Sequence, residues 1–253
     1  MDNVILQQDY LGPELTRLAD QNGVVGTVLV QVDQTEDETR WLLEQAASFP
    51  IIKGVVGWVD LQAENIHERL SHFSSYPELK GCRHIVQSES ADFLQRPAFQ
   101  RGIAELKKFG LTYDVLIYPQ HLKGAIALVR AFPDQSFIVD HLAKPYIRQG
   151  VMEPWKTQME ELGSCANVFC KLSGMITEAD HQNWSYAQLI PYLDTAMEAF
   201  GTERLMFGSD WPVCRLAGEY QQVLEIVQQY LSELSITQQR QILHDNAVKF
   251  YNL

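Results

Sequence analysis

The sequence predicts an α/β fold, a TIM-like (β/α) barrel with seven clear strands and its first strand missing or displaced. Three observations carry this. Short apolar, β-branched runs alternate with amphipathic stretches of helical period. The runs start at Val24, Ile51, Leu79, Thr112, Ser136, Asn167 and Arg204, intervals close to the ~30 residues of a βα unit. They are apolar nearly throughout, as parallel strands buried on both faces require.

The chain opens with a helix over Gly12–Asp20 that stops near Gly23. The first clear strand follows at Val24–Gln31 and the second at Ile51–Asp60. Strands over Leu79–Gln87, Thr112–Tyr118, Ser136–His141, Asn167–Ser173 and Arg204–Asp210 complete the series. Helices fill the intervals at Asp37–Ser48, Arg96–Phe109, Gln120–Phe132, Trp155–Leu162, Ser185–Phe200 and Tyr220–Leu231. Pro133 and Gly201 stand where two of them should stop. An open doubly wound sheet is the competing architecture. It usually carries a glycine-rich phosphate loop after its first strand, and the sequence has neither GxGxxG nor GxxxxGK[ST]. No linker or low-complexity segment divides the series, so residues 1–253 read as one domain. An eight-stranded barrel wants a strand ahead of the first helix, and only Val4-Ile5-Leu6 can supply a stub.

The 253 residues carry 20 Lys plus Arg against 32 Asp plus Glu, a net charge of −12. That argues against nucleic-acid binding and against a polybasic membrane surface. With 46% hydrophobic and 21% charged residues the chain is ordinary for a packed core. No apolar run approaches the ~20 residues of a membrane span. The N-terminal stretch shows no basic region followed by an apolar one, so the cytoplasm is the expected compartment. Cys82, Cys165, Cys170 and Cys214 have no metal-site spacing and read as buried thiols.

In such a barrel the chemistry sits at the C-terminal ends of the strands. Five strand ends carry ionisable groups there: Asp60; Arg83-His84, with Glu89 in the loop beyond; Asp140-His141 and Lys144; Lys171; and Asp210. Asp210 follows an apolar run directly and suits a general base or metal ligand. His141 stands on the same rim. Of Arg83 and His84, alternation turns one inward, and His84 is taken as the catalytic one. Arg83 binds a substrate oxygen or pairs with a carboxylate. Lys144 and Lys171 are candidate substrate contacts. Trp211 is an apolar platform for a sugar ring or a lid on the core. His67, His72, His121, His181 and His244 read as surface residues.

Gly54-Val55-Val56-Gly57-Trp58-Val59-Asp60, Leu79-Lys80-Gly81-Cys82-Arg83-His84, Asp140-His141-Leu142-Ala143-Lys144-Pro145, Cys170-Lys171-Leu172-Ser173-Gly174 and Gly208-Ser209-Asp210-Trp211-Pro212-Val213 together resemble the amidohydrolase superfamily. Within it they resemble the sugar lactonase branch, whose members are fuconolactonase-like, rhamnonolactonase-like or 2-pyrone-4,6-dicarboxylate lactonase-like. The similarity runs from about Asp9 to Leu253. It implies hydrolysis of a sugar-derived or carboxylated lactone, with Asp210 activating water and His84 and His141 holding and polarising the substrate. Members of the branch bind one divalent metal or none. A small-molecule lactone is therefore the expected partner. The family's first strand ends in His-x-His, and here no histidine precedes His67. Either the chain is shorter than its relatives at this end, or it is a variant without that metal cradle. The candidates left for zinc or manganese are Asp210, His141 and Glu89, a poor set beside three or four ligands. Unpaired edges flanking the gap predict a homodimer. The rival readings are a metal-dependent decarboxylase or amide hydrolase on the same fold, and a catalytically weak ligand-binding barrel.

Overall fold

The computed structural model describes residues 4–253; the N-terminal stretch read for a leader begins in residues 1–3, outside them. Seven parallel strands form one sheet in sequential order: β1 Thr27–Val30, β2 Ile52–Gly57, β3 Leu79–Ile85, β4 Thr112–Leu116, β5 Phe137–Val139, β6 Val168–Leu172 and β7 Leu205–Phe207. Each is shorter than its apolar run, because the flanking residues turn into the rim loops. The helices are α1 Gly12–Gln21, α2 Glu36–Ser48, α3 Ile66–Phe73, α4 Pro97–Leu106, α5 Leu122–Ala131, α6 Trp155–Gly163, α7 Tyr186–Phe200, α8 Tyr220–Leu231, α9 Ile236–Arg240 and α10 Asn246–Tyr251. The predicted alternation holds from α1 to α8. No helix of the described residues is long and apolar enough to cross a membrane.

The sheet is a curled half-barrel. Among the described residues β1 pairs only with β2, and β7 only with β6. Val4–Leu6 is a single 3-10 turn and not a strand stub. It lies against the turn Val213–Leu216, at the rim, so it extends no edge.

Alternation along the strands separates two layers. Outward residues such as Val55, Tyr113, Val115, Phe137, Val139, Cys170 and Leu205 pack under the helices in one large core. Val56, Ile138 and Met206 face the concave side, where Phe250 and Tyr251 of α10 cover them. The C-terminal helix thus fills the floor of the half-barrel, a part the periodicity of the strands did not announce. Asn246 Nδ2 donates to Leu205 O at 2.6 Å and Thr202 O at 2.7 Å, so α10 also occupies carbonyls around β7. Cys82, Cys170 and Cys214 are buried free thiols, and Cys165 is half-buried.

Above this floor lies a charged layer. Lys171 Nζ sits 2.5 Å from Asp114 Oδ2 and 2.6 Å from Asp140 Oδ1. Arg83 donates to Asp140 Oδ2 at 2.8 Å and to the carbonyl of Gln31. Tyr251 Oη donates to Asp114 Oδ2 at 2.8 Å. Both carboxylates are fully buried. Burial raises the pKa of Asp114 despite Lys171. Burial acts the same way on Asp140, but Lys171 and Arg83 together outweigh it and hold that carboxyl well below the usual range. Burial and the two flanking carboxylates pull Lys171 in opposite directions, and the carboxylates win.

Candidate active site

The rim above the charged layer is built on strained backbone. His141, Leu142, Ala143 and Lys144 follow β5 with φ of 53°, 54°, 57° and 50°, and Asp210 follows β7 with φ of 55°. Five non-glycine residues in the left-handed region cost on the order of 1–3 kcal/mol each. Such strain collects where side chains must be aimed at a site. It is compensated here by packing: Leu142 and Ala143 are fully buried, and Trp155 Nε1 donates to Leu142 O at 2.7 Å.

The turn aims His141 at Asp210. Nε2 stands 3.6 Å from Asp210 Oδ1, too long for a hydrogen bond. Nδ1 lies 2.8 Å from Ser173 Oγ. Thr177 Oγ1 donates to Asp210 Oδ2 at 2.8 Å. One carboxylate oxygen is thus held, and the other faces the imidazole. Both side chains keep a little exposure, 13% for His141 and 8% for Asp210. Burial depresses the His141 pKa, against the pull of Asp210 and Asp140, so the ring is neutral near pH 7. With an acceptor carboxylate before Nε2, the favoured tautomer carries the proton there, and Ser173 donates to Nδ1.

The other candidates divide into three groups. Trp211 is next in sequence to Asp210; its ring meets Tyr10 edge-on at 5.2 Å, and Tyr10 Oη accepts from Arg215 at 3.1 Å. Arg83 and Lys171 lie one layer down in the ionic cluster, at 8% and 10% exposure. Lys144 reaches the rim but is paired with Glu178 at 2.9 Å. All three cations expected at the substrate are engaged by carboxylates.

His84 differs from its expected orientation. The pleat turns Arg83, and not His84, into the half-barrel. His84 stacks on Phe93 with centroids 4.6 Å apart, on the helix side of the sheet. Trp58 Nε1 donates to its Nδ1 at 3.2 Å, and its Nε2 meets Glu89 Oε1 at 3.2 Å. Burial lowers its pKa although Glu89 pulls the other way. Asp60 caps its own turn, accepting from the Gln62 amide at 3.0 Å. His121, expected at the surface, is fully buried. Its Nδ1 accepts from the Tyr118 amide at 3.3 Å and its Nε2 donates to Glu89 O at 3.1 Å, so two rim loops are tied through it. A loop histidine carries no sequence signal of burial when its partners are backbone groups. Ser173 and Thr177, which hold the central pair, were likewise invisible as individual letters.

The expected metal set is not gathered. Glu89 is bonded to His84, not to the His141–Asp210 pair, and among the described residues no three His, Cys, Asp or Glu side chains form a group able to hold a metal ion. The donors present do not fit a site with three protein ligands.

The fold is that of an amidohydrolase. The amidohydrolase family model matches residues 5–253, and the chain belongs to that family. It is 34% identical to the L-fucono-1,5-lactonase of Burkholderia multivorans over 261 residues, covering 98% of this chain and 88% of that protein. It is 35% identical to the L-fucono-1,5-lactonase of Burkholderia ambifaria over 216 residues, 85% of this chain and 74% of the other. A crystal structure of an amidohydrolase from Burkholderia multivorans with bound zinc superposes with a TM-score of 0.95 at 34% identity, covering 99% of this chain and 91% of that one.

Proposed function

We propose that this protein is a hydrolase that opens a sugar-derived lactone by attack of water on the ring carbonyl. The observation that carries the reading is the strained His141–Asp210 pair at the C-terminal rim, in a chain similar over most of its length to two L-fucono-1,5-lactonases. Asp210 accepts a proton from water as its oxygen attacks the carbonyl carbon. His141 Nε2–H donates to the carbonyl oxygen as negative charge develops on it. The tetrahedral adduct then expels the ring oxygen, which takes the proton from Asp210. The product is the open hydroxy acid, and the carboxylate is regenerated. Ser173 and Thr177 hold the two groups while the apolar floor and buried layer beneath restrict water.

Arg83 and Lys171 support this site from below by fixing Asp140, the residue before His141. Trp211 offers an apolar ring face beside the reacting centre. Lys144 fastens the left-handed turn through Glu178. No step is assigned to a metal, because the donors among the described residues do not make a three-ligand site.

Hydrolysis of an aldono-1,5-lactone panel in a pH-indicator assay tests the reading. Turnover of L-fucono-1,5-lactone is expected, and no turnover of any lactone would sink it. The β1 edge, unpaired among the described residues, supports a homodimer paired along Thr27–Val30; a monomeric mass by light scattering would contradict that pairing.

A further inference from the structure

One short turn after β6 is bonded to both strand ends of the pair. Glu178 N donates to Gly174 O at 3.2 Å and closes the turn. Within it Thr177 Oγ1 donates to Asp210 Oδ2 at 2.8 Å. The Thr177 carbonyl is itself pinned, accepting from His181 Nε2 at 2.9 Å. The next residue, Glu178, holds the other strand end. Its Oε1 accepts from Lys144 Nζ at 2.9 Å, and its carbonyl accepts from the Arg148 amide at 3.0 Å. Lys144 closes the left-handed run that begins at His141, and its amide donates to His141 O at 2.8 Å. Four consecutive non-glycine residues at positive φ persist only where their surroundings fix them. At the start of the run the fixed point is Ser173 Oγ, 2.8 Å from His141 Nδ1. At its end the fixed point is Glu178, by side chain and by backbone. An ion pair in open water contributes little, but Lys144 and Glu178 keep only 14% and 19% side-chain exposure, so this pair is screened far less.

We infer that Glu178 is a positioning residue of this site: it ties the turn that carries His141 to the turn that grips Asp210, and so sets the 3.6 Å between Nε2 and Oδ1. It touches no reacting atom and acts through Lys144 on one side and Thr177 on the other. The inference rests on the lactonase reading. Glu178→Ala removes the side-chain acceptor and keeps the backbone bonds, whereas Glu178→Gln keeps an acceptor oxygen in place. On L-fucono-1,5-lactone, Glu178→Ala is expected to lower kcat about tenfold with KM within about twofold of wild type, because the reacting groups shift against each other. Glu178→Gln is expected to recover most of that loss. Lys144→Met cuts the same tie from its other end, so the double variant with Glu178→Ala should be no slower than either single one. A loss confined to KM, a Glu178→Gln as slow as Glu178→Ala, or losses that multiply in the double variant overturn the inference.

A readout that needs no turnover separates this from failure of the lactonase reading. Nitrogen-15 spectra follow the His141 ring, assigned by its loss in His141→Asn. In wild type Nδ1 should report an accepted hydrogen bond from Ser173. Glu178→Ala should move that resonance toward a free imine nitrogen, in a chain whose circular dichroism shows it folded, and Glu178→Gln should leave it in place. That pattern in a protein that opens no lactone supports the positioning and sinks only the reaction. An unmoved His141 resonance in Glu178→Ala overturns the inference whatever the kinetics. Should Glu178→Ala not fold, Lys144→Met is read by the same criteria.

Discussion

His141 Nε2 stands 3.6 Å from Asp210 Oδ1, and both residues hold their backbones in the left-handed region. The gap is too wide for a direct bond, so each atom keeps its hydrogen-bonding capacity for a molecule placed against the pair. The positive φ turns each side chain off the line of its strand and toward the other.

Asp210→Asn tests the base. Asparagine tolerates the left-handed conformation, so the backbone is preserved. The side chain keeps its shape and loses its basicity. We expect kcat to fall by about 10²–10⁴ with an unchanged circular dichroism spectrum. An unchanged kcat would remove Asp210 from the reaction.

The pH dependence follows from the direction of the His141 shift. Burial draws its pKa below the ordinary 6.5, so the ring stays neutral as pH falls past that value. Protonation further down would draw an imidazolium onto Asp210 and occupy the base. The acid limb of kcat is therefore expected below pH 6.5, and a limb centred at or above it would contradict the assignment. Stability follows the same sign. The unfolded chain protonates first, so the contribution is complete above pH 6.5 and is lost as pH falls toward the folded pKa.

Lys171→Met leaves Asp114 and Asp140 facing each other with no ammonium between them. Breaking a buried ion pair from one side costs about 3–5 kcal/mol. The measurement is the urea midpoint, and a shift equivalent to less than about 1 kcal/mol would show that the cluster relaxes freely.

Gly174→Ala should act on His141. Gly174 has φ of +69°, and an added Cβ would lie 2.7 Å from His141 Cβ and 3.0 Å from Nδ1. The imidazole must move away from Ser173, so kcat should fall at least about tenfold while KM changes little. Wild-type kcat in the variant would show that the position of the ring is unimportant.

Incubation with a chelator tests the poor fit of the donors to a metal. Turnover is expected to survive, with metal content well below one ion per chain. Activity lost to the chelator and restored by zinc or manganese would show a site that the described His, Cys, Asp and Glu residues do not assemble.

The fold was legible because burial leaves a periodic trace along one chain. Seven apolar runs at βα intervals fix seven parallel strands, and the same runs locate Asp210 and His141 at strand ends. The pairing of side chains leaves no such trace. Whether Arg83 or His84 faces inward depends on the register of β3, and only the folded sheet decided for Arg83. Val4–Leu6 lacks a neighbouring strand and becomes a turn instead of a stub. The burial of His121 depends on one amide and one carbonyl from two different loops. The sequence by itself determined the order of elements and the rim on which the chemistry stands. The tertiary structure decided which rim groups meet, because distances across the half-barrel follow from strand register, left-handed turns and packing, which join residues far apart in the chain.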